Sequence, residues 1–297
     1  PVSWHNHVSG DHYTISEAWL DRVQEVLDYA VDDDMYVILN IHHDTDKEYC
    51  YPDKEHLEQS LSYMTFIWEQ LADRFGDYDE HVIFESINEP RLVETDHEWW
   101  LDMNAAECVE AVECINEWNQ NFVDVVRKTG GNNATRYLMV PGYDASADGV
   151  LNDKFVLPTD TAENEGKILV SVHAYIPYHF ALQAATENES IDQFNASEKT
   201  STNDIDQMME KLYAKYISNE IPVVIGEFGA RDKNGNLQSR VDYAAYYIAA
   251  ARAYGMSCNW WDNNAFTGDG ELFGLLDRKT VTWRYPKIVD ALMKYAE

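Results

Sequence analysis

Short apolar runs alternate along this chain with longer stretches in which apolar residues recur at helical intervals. Residues 35–41, Met-Tyr-Val-Ile-Leu-Asn-Ile, have the length and near-continuous apolar character of a buried parallel strand and close on His42-His43-Asp44. Residues 82–87 repeat the pattern and break into Asn88-Glu89 before Pro90, which cannot continue a ladder. Further strands are predicted at 137–141, 168–172, 222–225 and 257–260. Three of these close on His173-Ala-Tyr175, on Gly226-Glu227-Phe-Gly229 and on Trp261-Asp-Asn263. Between the strands, Trp19, Val23, Val26, Leu27 and Ala30 mark one amphipathic helix, and Leu57, Leu61, Met64, Trp68, Leu71 and Phe75 mark another. A third, over 105–129, carries Cys108, Ile115, Phe122 and Val126 and stops at Gly130-Gly131; others are expected near 204–217, 240–254 and 286–295. Thr14-Ile-Ser-Glu17 has the spacing of a capping box for the first helix.

Pro1-Val-Ser-Trp4 reads as the tail of a strand, which brings the expected number to seven, six of them followed by helices. The connection after 137–141 is a long polar stretch with no clear pattern. No G-x-G-x-x-G or Walker sequence follows any strand, so repeated β-α units favour a (β/α)8 TIM barrel over a doubly wound sheet. The first strand-helix unit of such a barrel is absent from this chain. With no Pro-, Gly- or Ser-rich linker and no solenoid repeat, residues 1–297 read as a single domain.

Composition narrows the partners. Twenty-two Lys and Arg against 53 Asp and Glu give a formal charge of -31, which repels nucleic acid and anionic membrane surfaces. No apolar run has the length of a bilayer span. Four cysteines are too few for a disulfide scaffold, and the six-residue spacing of Cys108 and Cys114 suits buried thiols at least as well as a bridge. Asn133, Asn188 and Asn195 open N-x-S/T triplets in polar surroundings.

Chemistry concentrates where the strands close. In a barrel, different strand ends share one mouth, so Glu89 and Glu227 can act together although they lie 138 positions apart. Two carboxyl groups across a pocket are the equipment of glycoside hydrolysis; about 5 Å between them implies retention and about 6.5–9.5 Å inversion. One strand-end glutamate is as readily a structural ion-pair partner. Two, each at a polar strand end, favour catalysis.

The strings V-I-L-N-I-H-H-D (37–44), S-I-N-E-P (86–90), V-H-A-Y (172–175), V-V-I-G-E-F-G (223–229) and N-W-W-D-N (259–263) resemble glycoside hydrolase family 5. With P-V-S-W at the start, they most resemble its branch of endo-β-1,4-glucanases and xyloglucanases. The resemblance implies a retaining endo-acting enzyme on β-1,4-linked glucan, with Glu89 as acid/base and Glu227 as nucleophile. It further implies that Asn88 binds the sugar 2-hydroxyl, that His42 and Tyr175 hold the reacting sugar and the nucleophile, that His173 lines the cleft, and that Trp261 is the stacking platform. His43 is placed with the binding residues; Trp4, Trp99, Trp100 and Trp260 rank below Trp261, because packing is the commoner fate of tryptophan. The family's first strand, its helix and an Arg supporting the nucleophile have no counterpart in this sequence. The resemblance implies no metal or cofactor, a monomer, and an extracellular setting. Two competing expectations remain: a metal-dependent amidohydrolase using His5-Asn-His7 with His173 and Asp262, and a barrel that binds glucan without cleaving it.

Overall fold

The computed structural model describes residues 1–164 and 166–296. They form two compact units, Pro1–Ser171 and Val172–Glu297.

In the first unit, β1 (Val8–Ser9) and β2 (Thr14–Ile15) form a small antiparallel hairpin. Thr14 is thus committed to a strand, and the N-cap of α1 (Glu17–Val31) is Ser16, without a side-chain capping bond. The expected capping box is not formed. Helix α1 buries the expected Val23 and Leu27 together with Leu20, which was not expected, while Val26 is 48% exposed and lies outside the buried stripe. Next come β3 (Val37–Asn40), α2 (Leu57–Arg74), β4 (Val82–Glu85), α3 (Ala106–Lys128), β5 (Leu138–Pro141), α4 (Ala147–Leu151) and β6 (Ile168–His173). Strands β3 to β6 run parallel in chain order, with Asn40 opposite Glu85, Glu85 opposite Met139 and Pro141 opposite Ser171. All four residues of β4 are buried, as a parallel strand covered on both faces requires.

Helix α2 packs through Met64, Ile67, Trp68 and Leu71, and the Trp68 indole donates to the Ser86 carbonyl at 3.0 Å. Helix α3 ends before Gly130 and Gly131, whose φ of 72° and 57° are the left-handed values glycine accepts without strain. The expected strand at residues 2–4 is not one. A single backbone-to-backbone bond among the described residues joins it to the β3 end, the Val2 carbonyl accepting from His42 N–H at 2.9 Å. Trp4 is held by side chains instead: its N–H donates to the Asp44 carboxylate at 3.0 Å and its indole to the Asn40 carbonyl at 3.0 Å.

The second unit begins inside β6. It contains α5 (Tyr178–Ala181), α6 (Lys199–Lys215), β7 (Val223–Phe228), α7 (Leu237–Ala253), β8 (Ser257–Trp260), β9 (Leu276–Asp277), β10 (Thr282–Trp283) and α8 (Pro286–Ala296). Strands β7 and β8 are parallel, while β9 and β10 make an antiparallel pair. Ala244 on α7 packs with Leu275, Ile288 and Ala291 against α8, and Tyr243 and Tyr247 of the same helix pack on Phe180, Phe194 and Phe228, so α7 carries two parts of this unit's core. Strand β7 runs three residues beyond the expected 222–225 and includes Glu227, which falls where the register against β8 shifts between Ile225 and Phe228. No described helix is long and apolar enough to cross a membrane.

All four cysteines are free. Asn133 is 1% exposed and donates to the Ala72 carbonyl at 2.8 Å, which removes it from glycosylation in the folded protein, whereas Asn188 and Asn195 are exposed.

Candidate active site

The first unit supplies the ends of β3 and β4. Asn88 is 3% exposed, and its N–H donates to the Ile41 carbonyl at 2.8 Å, so the segment after β4 is tied to the end of β3. Its side-chain Oδ1 is buried and, among the described residues, accepts no hydrogen bond. That is a cost a protein avoids unless something else supplies the donor. Glu89 follows, half-buried, with the Arg91 guanidinium 3.7 Å from its Oε2 and donating to its carbonyl at 2.9 Å. The same guanidinium lies 4.0 Å over the Trp99 ring. Trp99 and Trp100 are 51% and 64% exposed, unlike Trp4, which is fully buried and is no platform.

His42 is buried and meets His43 edge-on, with ring centroids 4.4 Å apart. His43 keeps part of its surface exposed, yet lost hydration holds its pKa below the ordinary histidine value, with the Glu89 charge pulling the other way. Beneath His42 lies a buried polar chain. The Asn40 amide nitrogen is 3.2 Å from His42 Nδ1 and donates to Glu85 Oε2 at 2.9 Å, and the Ser171 hydroxyl donates to Glu85 Oε1 at 2.6 Å. Asn40, Glu85, Ser171 and Arg91 were not expected from sequence. The signal available was the two polar residues, Asn40 and Glu85, inside otherwise apolar strand runs.

The second unit supplies the ends of β6 and β7. Glu227 projects from β7, and the Tyr175 hydroxyl donates to its Oε2 at 2.6 Å. His173 Nδ1 lies 3.8 Å from the same oxygen. The Ala174 N–H donates to the Glu227 carbonyl at 2.9 Å, which fixes the segment carrying His173 and Tyr175 against β7. The Tyr175 hydroxyl is thus a donor held against this carboxylate, with the His173 ring beside it. Trp261 follows β8, partly exposed, with its N–H donating to the Phe228 carbonyl at 2.9 Å. Trp260 instead turns its indole to the Phe273 carbonyl at 3.1 Å.

The expected amidohydrolase ligands are otherwise engaged. His5 Nδ1 pairs with Asp44 Oδ1 at 2.5 Å, while His7 stacks on Trp19 at 3.8 Å between centroids, so the two histidines serve different neighbours. Asp262 accepts from the N–H groups of Leu275 and Leu276, each at 3.0 Å, and holds a loop. Within the first unit, Asp53, Glu55 and His56 bring ligand atoms close enough together to hold a cation, on partly exposed surface.

Comparison with known proteins gives these residues a context. The family model described as Cellulase (glycosyl hydrolase family 5) matches residues 1–267. Endoglucanase B of Ruminococcus albus is 43% identical over 297 residues, spanning all of this chain and 67% of that protein. A glycoside hydrolase 5 lichenase from Caldicellulosiruptor sp. F32, solved with cellotetraose, is 60% identical and superposes with a TM-score of 0.98 over all of this chain and 79% of that one. A broad-specificity endoglucanase from Ruminococcus champanellensis with bound cellotriose is 44% identical, with a TM-score of 0.88 over 99% of this chain and 80% of that one. The fold class is therefore that of the (β/α)8 barrel. From the strand ends outward to the full-length match, the chain belongs to glycosyl hydrolase family 5.

Proposed function

We propose that residues 1–297 act as one catalytic domain, an endo-acting hydrolase of β-1,4-linked glucan that works with retention through Glu89 and Glu227. The observation that carries this reading is the Tyr175 hydroxyl donating to Glu227 at 2.6 Å, since a nucleophilic carboxylate must be ionised when substrate arrives. In the first step Glu227 attacks the anomeric carbon while Glu89 passes its proton to the departing glycosidic oxygen, leaving a glycosyl-enzyme ester. In the second, Glu89 takes a proton from water, and the hydroxide equivalent attacks the same carbon and releases Glu227. Two inversions restore the β-configuration. The buried acceptor on Asn88 is matched by a sugar hydroxyl, which can donate to it, and Trp261 offers a ring to the apolar face of a pyranose. His42, His43 and His173 complete the sugar-facing set.

A substrate of this size is a polymer that does not cross a membrane whole, so the enzyme works outside the cell. The family members solved with cellotriose and cellotetraose support an unbranched glucan chain as the common ligand. Cellulose, mixed-linkage glucan, xyloglucan, xylan and mannan then differ in hydroxyls and branches read by loops. Assaying all five would define the preference and expose a binder that does not cleave.

Glu89→Gln and Glu227→Gln should each abolish reducing-end release from carboxymethylcellulose or xyloglucan, with circular dichroism unchanged. Undiminished turnover by either purified variant would sink the assignment. Proton NMR of the first product should show the β-anomer; initial α-anomer would exclude retention.

A further inference from the structure

The buried chain under His42 does more than fill the sheet interior. Asn40 sits on β3 directly opposite Glu85 on β4, so the ladder register brings the two side chains together. All four members, Asn40, His42, Glu85 and Ser171, are buried. Glu85 accepts on both oxygens, from the Ser171 hydroxyl at 2.6 Å and from Asn40 at 2.9 Å. A carboxylate only accepts, so the Asn40 atom facing it is the amide nitrogen. The other end of the amide agrees: Oδ1 accepts from the Val2 N–H at 3.4 Å. The amide is therefore pinned in one orientation from both sides, and the same nitrogen lies 3.2 Å from His42 Nδ1. A donor facing Nδ1 requires a lone pair there.

We propose that Asn40, oriented by Glu85 and Ser171, is a positioning residue that holds His42 as the neutral tautomer with its proton on Nε2. His42 then presents a hydrogen-bond donor, not an acceptor, from the nitrogen remote from the sheet. This rests on the reading of His42 as a sugar-binding residue and adds what kind of partner it selects: a hydroxyl oxygen with a free lone pair. An imidazole with the opposite tautomer would instead demand a proton from that hydroxyl.

The test is a long-range proton–nitrogen correlation spectrum of histidine-labelled protein at a pH where the ring is neutral. Loss of signals in a His42→Gln variant assigns the His42 pair. The native spectrum should show Nδ1 unprotonated and Nε2 protonated. A protonated Nδ1 overturns the inference without need of any further variant. Asn40→Asp keeps the shape but puts an oxygen toward both Glu85 and His42, so His42 should move its proton to Nδ1 or take up a second one; an unchanged tautomer would overturn the proposal. Asn40→Asp should also reduce kcat/KM by about 10-fold, the scale of one hydrogen bond. A reversed tautomer with unchanged kcat/KM would uphold the positioning role of Asn40 and count against His42 as a sugar ligand. Glu85→Gln frees the amide to turn over and should give a mixture of tautomers.

Discussion

The Tyr175 hydroxyl is one atom on which much of the chemistry turns. Removing it in Tyr175→Phe deletes a hydrogen bond to a charged group, a loss of about 1.5–3 kcal/mol. On that scale kcat should fall by about ten- to a hundredfold with the melting temperature little changed; steady-state kinetics beside a thermal melt checks both. Two cations act on stability instead. Arg136 is 2% exposed and donates to the carbonyls of Asp79, Val82 and Tyr78 at 2.9, 2.7 and 2.6 Å, with burial pushing its pKa down to about 10. Arg136→Met strands those buried carbonyls, at about 1–3 kcal/mol for an acceptor left unpaired, and should lower the urea-unfolding free energy by at least that much. Lys233 is also buried, donating to the His179 and Gln183 carbonyls at 2.8 and 3.0 Å, and burial lowers its pKa to about 8. Its folded value lies below the unfolded one near about 10.4. Between the two the unfolded chain holds more protons, so this group's contribution to stability rises with pH from about 8 upward. Urea midpoints at pH 7.5 and 9.5, native against Lys233→Met, should show that rise only in the native protein.

At the scale of elements, backbones that meet too closely for a side chain decide the connection after β5. A Cβ at Gly142 would lie 2.4 Å from the Gly149 backbone carbon, and one at Gly149 would lie 2.2 Å from the Tyr143 carbonyl oxygen. Neither glycine has a positive φ, so the constraint is space between the β5 end and α4, not backbone strain. Gly142→Ala should therefore lower the melting temperature markedly, in contrast to Gly10→Ala, where open space surrounds the position and only its φ of 71° is unfavourable. This is also why the long polar stretch has no readable pattern: its order comes from this close approach, from the Ser146 cap and from side-chain bonds to α3, such as Asn116 to the Lys154 carbonyl and Arg127 to Asp160, none of which is periodic. The helices behave differently. Trp68 on α2 is fully buried, packs on Phe84 and Phe122 at 5.3 and 4.6 Å between centroids, and donates to Ser86. Trp68→Ala should cost about 3–5 kcal/mol by cavity formation, and it loosens the segment that leads to Glu89.

At the scale of the whole molecule, a charge of -31 sets a general repulsion that salt screens. The melting temperature should rise from low salt to moderate sodium chloride, and a fall would show that specific ion pairs outweigh the net field. The thiols add nothing covalent: burial pushes Cys114 and Cys258 up to about 12 and Cys50 well above the usual range. The native protein should resist alkylation at pH 8 and melt identically with or without reductant. The strand-helix order, the polar strand ends and the family were legible in the sequence, because each depends on local periodicity or on contiguous motifs such as residues 86–90 and 223–229. The chain alone could not bury Asn133 or set Trp4 on the Asp44 carboxylate, since each depends on a partner distant in sequence, and the spacing of Thr14 to Glu17 hid the local hairpin in which Thr14 pairs with Ser9. It also hid the support of the candidate site. Asn40 and Glu85 look like interruptions in apolar runs until strand register sets them side by side. Sequence determined which residues could do the chemistry; tertiary structure decided how Asn40, His42 and Glu227 are held, because hydrogen bonds between distant segments leave no period in the chain that makes them.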